Sequence, residues 1–128
     1  MKKRNGFTFV ELLVVMAITG IIFAVTAVTY SGVTKSSRDA RRKSDLESIR
    51  QALELCRSYS GSYPLTVTGG GAITCNAVTY MTVIPVDPKD QTPYSYVPAG
   101  TPPTSYTLSA TLESTGDVDY PTYTVINP

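Results

Sequence analysis

The chain has 128 residues, about the size of one domain, and its hydrophobic residues are concentrated in a dense block from Phe7 to Tyr30. A net charge of +1 argues against a dedicated nucleic-acid binder, so DNA is not expected among its partners. The sequence contains no histidine, which removes the commonest general base and the commonest metal ligand, and the composition indicates no enzyme.

The first 30 residues combine a basic leader with an apolar segment. Three basic residues at positions 2–4 precede the apolar block, whose 24 positions exceed the roughly 20 that a membrane-spanning helix needs. Glu11 is the one charge within this block, and an ionisable residue in a membrane span usually has a partner and a function. A secretory signal peptide cut after Val25-Thr26-Ala27 and a plain signal anchor both leave that charge without a function.

The stretch KKRNGFTFVEL, from Lys2 to Leu12, resembles the prepilin signature of type IV pilins and type II secretion pseudopilins. In that family a membrane peptidase cuts after the glycine and then methylates the new N-terminal residue. The resemblance implies cleavage between Gly6 and Phe7 and N-methylation of Phe7. It also implies that Glu11 acts in assembly, where its carboxylate neutralises the Phe7 amine of a neighbouring subunit.

The resemblance predicts a structural subunit of a type IV pilus-like or type II secretion filament. The partners it implies are copies of the same chain, prepilin peptidase, an inner-membrane assembly platform, and membrane lipid before assembly. It places the precursor in the inner membrane as a single-pass protein with its N-terminus in the cytoplasm, and the filament at the cell surface or in the periplasm. The alternative is a signal-anchored or secreted binding module that forms no filament.

We expect four segments: a leader (1–6), a filament-core helix (7–30), an amphipathic helical stem (31–60) and a head of loop and β-sheet (61–128). Within the stem, apolar residues recur at helical spacing on one face and predict a stripe that packs on the head. These residues are Leu46, Ile49, Ala52, Leu53, Cys56 and Tyr59. The sequence Gly61-Ser62-Tyr63-Pro64 predicts the end of the helix.

The head contains three segments rich in Tyr, Thr and Val, at 94–97, 105–112 and 120–126, which predict antiparallel strands. Alternation of Tyr106, Leu108, Ala110 and Leu112 predicts one buried face. Residues 65–79 are expected to form a loop. The predicted fold class is therefore α+β, with one long N-terminal helix packed on a small antiparallel sheet of about three strands.

The two cysteines, Cys56 and Cys75, form an even pair in an exported domain, which suggests a disulfide. Two buried thiols or one reactive thiol are the alternatives. The intervening segment contains Gly69-Gly70-Gly71, so a covalent clamp there would have a clear role.

The charges divide along the chain into a basic stem and an acidic head. Residues 31–57 carry seven basic and four acidic groups, whereas residues 58–128 carry Lys89 against five acidic groups. The two surfaces either attract each other between stacked copies or are separately solvated. For the basic cluster at positions 38–43 we favour a solvated face with salt links to Asp39, Asp45 and Glu47 over contact with lipid headgroups or DNA.

Two aspartates near the C-terminus, Asp117 and Asp119, resemble part of the calcium-binding loop of major pseudopilins. Calcium takes six to eight oxygen ligands, and no further ligands are identifiable in the sequence. We therefore expect a turn at this position and no metal, with calcium as the alternative.

Overall fold

The computed structural model describes residues 6–127, apart from the side chains of residues 27–29. The basic leader residues Lys2, Lys3 and Arg4 lie outside the described residues. Within the described range the chain divides between Thr34 and Lys35 into two compact units.

A single long helix, α1, runs from Phe9 to Ser60. It ends where Gly61 adopts a φ of +78° and donates its N–H to the carbonyl oxygen of Arg57 at 2.8 Å. Glycine adopts this left-handed conformation without the steric cost that other residues incur, so it serves as the helix C-cap. The helix therefore stops where the sequence predicts.

Two antiparallel sheets follow the helix. The smaller one is a hairpin of β1 (Ile73–Cys75) and β2 (Val78–Met81). The larger one has three strands in the order β3 (Ser95–Gly100), β4 (Pro103–Thr111) and β5 (Thr122–Ile126). The predicted α+β class, with one long helix on a small antiparallel sheet, is confirmed.

The hairpin corrects the expectation that residues 65–79 form only a loop. Asn76 and Ala77 join its strands with φ angles of +49° and +64°, the conformation of a tight hairpin turn. The sequence signal was weak because alanine stands where such turns favour glycine, and because strands of three and four residues show little alternation.

The core lies between the stem and the three-stranded sheet. Leu108 of β4 is fully buried and is aligned with Tyr96 of β3 and Val125 of β5, so a row of side chains crosses the sheet. The predicted inward face of β4 and the helical stripe are buried at 0–6% exposure: Tyr106, Leu108, Ala110, Leu112, Leu46, Ile49, Ala52, Leu53 and Cys56. Tyr59 is the exception at 70% exposure, so the buried part of the stripe ends at Cys56.

A disulfide between Cys56 and Cys75 joins the last turns of α1 to β1, with the two Cα atoms 5.6 Å apart. The predicted pairing is confirmed. Because Cys75 belongs to β1 and Cys56 to α1, the bridge attaches the hairpin directly to the helix. Cys56 is fully buried and belongs to the core cluster.

We expect reduction of this disulfide to lower the free energy of unfolding by about 3 kcal/mol, because the bridge restricts the unfolded chain. Urea titrations of the full-length chain in detergent, with and without reductant, measure the difference. The double variant Cys56→Ala/Cys75→Ala is the control and should show no response to reductant. Equal stability of the oxidised and reduced wild-type chains would contradict the expectation.

Candidate assembly site and the helix–head ion pairs

The N-terminal part of α1 presents an apolar surface that its own chain does not cover. All side chains from residue 6 to residue 26 are exposed, with Phe7 at 89% and Phe9 at 79%. By length and composition the helix could cross a membrane, since its most apolar 18-residue window has a mean hydropathy of 2.5. An exposed apolar surface of this extent requires either lipid or other protein chains around it.

Glu11 caps the beginning of this helix together with Thr8. One carboxylate oxygen, Oε2, accepts hydrogen bonds from the Thr8 N–H and the Thr8 hydroxyl, both at 2.9 Å. In return Thr8 Oγ1 accepts the N–H of Glu11 at 3.3 Å. This reciprocal pair is a capping box. This capping box was not predicted, although a threonine three residues before a glutamate at the start of an apolar run is its sequence signature.

The predicted cleavage position lies just before the helix. Gly6 and Phe7 are both exposed, and neither belongs to α1. No atom lies within 4 Å of the position that a Cβ on Gly6 would take, so the backbone there is open on that side. A peptidase must bind the chain around the bond that it cuts, and these two residues are accessible for that.

A buried arginine in the second unit collects carboxylates from three parts of the chain. Arg42 is 3% exposed, and its Nη1 donates to Asp39 of the same helix at 2.6 Å. Its Nε and Nη2 donate to the two oxygens of Asp87, between β2 and β3, at 2.6 and 2.9 Å. Its Nη1 also lies 2.8 Å from Glu113, which follows β4. A buried guanidinium is tolerated only with such partners.

The carboxylates around Arg42 are themselves well bound. Asp39, which is 1% exposed, accepts the backbone N–H of Glu113 at 3.0 Å and that of Ser114 at 2.7 Å. Arg38 forms a two-pronged ion pair with Glu113 at 2.8 and 2.6 Å. Arg38 first and Arg42 next hold the pKa of Glu113 down to about 2. Hydrogen bonds from Arg42 likewise lower the pKa of Asp87.

These ion pairs correct the predicted separation of charges. The expected solvated basic face on the stem is not what forms, because Arg42 is buried and acidic groups of the head pair with the stem of the same chain. Of the three expected salt-link partners, Asp39 pairs with Arg42 of the cluster, whereas Glu47 pairs with Arg50 outside it and Asp45 accepts the hydroxyl of Tyr94 at 2.8 Å. Pairings between residues 45 or more positions apart leave no local pattern in the sequence.

Asp117 and Asp119, the alternative calcium ligands, both bind Lys43. The Lys43 Nζ lies 2.6 Å from Asp117 Oδ1 and 2.6 Å from Asp119 Oδ2. Among the residues that the structure describes, no group of three or more acidic, histidine or cysteine side chains could hold a metal ion. The residues present therefore do not fit a calcium site, because an ammonium lies where the ion would bind and too few oxygens surround it.

Residues 1–27 match the model of the prokaryotic N-terminal methylation motif. The chain is 29% identical to the type II secretion system core protein G of Pseudomonas aeruginosa over 78% of both chains. It is 33% identical to a probable minor fimbrial protein of Dichelobacter nodosus over 59% of this chain and 45% of that protein. The resemblance to pilins and pseudopilins is confirmed.

A further relative is matched over a similar share of this chain. The core protein G of Dickeya chrysanthemi is 23% identical over 75% of this chain and 60% of its own length. The chain thus spans 78% of the length of the Pseudomonas aeruginosa protein and less than two thirds of the length of the other two relatives. No solved structure gives a significant match. The relatives bear the names of secretion-system and fimbrial proteins, not of enzymes.

Replacing Arg42 by methionine should lower the free energy of unfolding by about 3–5 kcal/mol, because it leaves buried carboxylates without their cation. Urea unfolding of the full-length chain in detergent, followed by tyrosine circular dichroism, provides the measurement.

The matched control for this variant is Arg41→Met, which removes the same charge from the exposed neighbouring position. It should change stability by less than about 0.5 kcal/mol. If the two variants were equally stable, Arg42 would not have the role that its burial indicates.

Proposed function

We propose that the chain is the precursor of a filament subunit, cut between Gly6 and Phe7, methylated at Phe7, and polymerised through the apolar part of α1. The observation that carries this proposal is the methylation motif over residues 1–27, joined to a helix whose apolar side chains are all exposed through residue 26. Both named classes of relative, secretion-system core proteins and fimbrial proteins, support a pilin or pseudopilin filament subunit.

The exposed apolar helix has two successive surroundings in this proposal. Before assembly it lies in the inner membrane, with lipid covering the side chains that the chain itself leaves exposed and with the basic leader in the cytoplasm. After cleavage by prepilin peptidase an inner-membrane platform transfers the subunit into the filament, where helices of other copies replace the lipid. The filament then lies at the cell surface or in the periplasm.

Glu11 supplies the specific contact in this scheme. Both of its hydrogen bonds from Thr8 end on Oε2, so among the described residues Oε1 has no donor. We assign Oε1 to the amine of Phe7 that cleavage exposes on a neighbouring subunit. Two opposite charges in apolar surroundings favour the register in which they meet over registers in which each stays unpaired.

The processing step is tested by N-terminal sequencing and intact mass of the protein in sheared filament fractions. We expect a sequence that begins at Phe7 with one added methyl group. A chain that begins at Met1 would indicate a plain anchor, and one that begins at Val28 a conventionally secreted protein; either result would reject the proposal.

The assembly step is tested with Glu11→Gln, which keeps the shape of the side chain and removes its charge. We expect normal cleavage but a loss of filament yield on the order of ten-fold or more, since the buried amine loses its counter-charge. Thr8→Val is the matched control, because it removes the hydroxyl of the capping box and leaves the carboxylate in place. Glu11→Gln filaments at wild-type yield would refute the assigned role.

A further inference from the structure

The connection between β4 and β5, residues 112–121, is a surface loop that is anchored to the helix at two points. Its first residues are held by Asp39, whose carboxylate accepts the N–H groups of Glu113 and Ser114. Its middle is held by Lys43 through Asp117 and Asp119. Asp39 and Lys43 are four residues apart on α1, so they lie on the same face, one helical turn from each other.

Lys43 is surrounded by groups that attract a cation. Two carboxylate oxygens lie at 2.6 Å, and the ring of Tyr123 on β5 lies 5.3 Å from the ammonium nitrogen. The side chain is 26% exposed, so the ammonium is partly withdrawn from water. An ammonium group has three donors, two of which are used by the carboxylates, and an aromatic face attracts the same charge.

The loop closes around the same carboxylates. Asp117 Oδ1 accepts the N–H of Asp119 at 3.0 Å, and the N–H of Tyr120 donates to the carbonyl oxygen of Asp117 at 3.1 Å. These bonds bring the two carboxylates to one side of the turn, where they repel each other unless a cation lies between them. The loop therefore requires a positive charge at this position in order to keep its conformation.

We infer that Lys43 is a built-in cation that holds the loop in place of a divalent metal ion, so that the folding of the head is independent of calcium. The resemblance to major pseudopilins suggested a metal at Asp117 and Asp119, and the structure places an ammonium there instead. A divalent ion could bind only by displacing Lys43. The displaced ammonium would then lose both carboxylates and would lie close to the incoming dication.

The pKa values agree with a permanent pair. Asp117 and then Asp119 raise the pKa of Lys43 to about 12, and Lys43 lowers the pKa of Asp117. Because the pKa of Lys43 is raised, the pair's contribution to folding stability is complete below the ordinary lysine pKa of 10.5 and is lost as the pH rises through about 12. Because the pKa of Asp117 is lowered, the same stabilisation is lost at low pH only when the pH falls below the ordinary aspartate pKa. The contribution therefore persists throughout the neutral range.

The test uses the full-length chain in detergent and does not require filaments, so its outcome is independent of the proposed assembly. The wild-type chain should have the same Tm in EDTA and in millimolar calcium chloride. Lys43→Met should lower the Tm by a few degrees and should make the amides of residues 114–120 exchange on the order of five-fold faster. Lys43→Arg, which keeps a cation, should restore most of the protection.

Lys35→Met is the matched control, because it removes the same charge from an exposed position of the same helix. It should leave the Tm and the loop exchange unchanged. If Lys43→Met does not fold, Asp117→Asn/Asp119→Asn provides the second route, with faster loop exchange expected in an otherwise folded head. Calcium-dependent protection of the wild-type loop would overturn the inference. Loop exchange at the wild-type rate in Lys43→Met or in Asp117→Asn/Asp119→Asn would also overturn it.

Discussion

The second unit of this chain is organised around one buried charge, the guanidinium of Arg42. It ties the stem to the segment before β3 and to the segment after β4, because its carboxylate partners Asp87 and Glu113 lie in those two segments. A shift of the sheet along the helical stripe would separate Arg42 from Asp87 and Glu113 and leave buried charges unpaired. The ion pairs thus fix the position of the head on the helix, and the core supplies the favourable burial.

The same ion pairs determine which charges remain for other molecules. The acidic groups of the head that lie nearest the stem pair with cations of the same chain, so these carboxylates are already neutralised before another copy approaches. Lys35 and Arg41 are exposed on the stem, and two separated cations make a poor surface for nucleic acid. The most extensive exposed apolar surface of the described residues is the N-terminal part of α1, which carries a single carboxylate.

Features encoded over a few residues could be predicted, and features that join distant residues could not. The stripe from Leu46 to Cys56, the alternation along β4 and the helix stop at Gly61 each have a local period or a local conformational cause. The methylation motif is equally local, since it depends on neighbouring residues in a fixed order. Apart from Asp39, the acidic partners of Arg42 and Lys43 lie 45 to 76 positions away, and no pattern in the sequence indicates which carboxylate meets which cation. The capping box of Thr8 and Glu11 is also local, since its two residues are three positions apart.

The described chain consists of a part whose side chains largely contact one another and a part whose side chains are exposed. From Lys35 onward, one cluster of apolar side chains forms a core, the cysteines pair and the buried charges have partners, although other apolar side chains such as Tyr59 and Val118 stay exposed. From residue 6 to residue 26, every side chain faces outward, and Glu11 bonds within the helix's first turn. The core, the disulfide and the ion pairs of this unit all lie within one chain, so its folding does not depend on contacts with other copies. The exposed part of α1 has no such contacts, so its stable state depends on what surrounds it. In the proposed scheme, folding and assembly therefore depend on different residues.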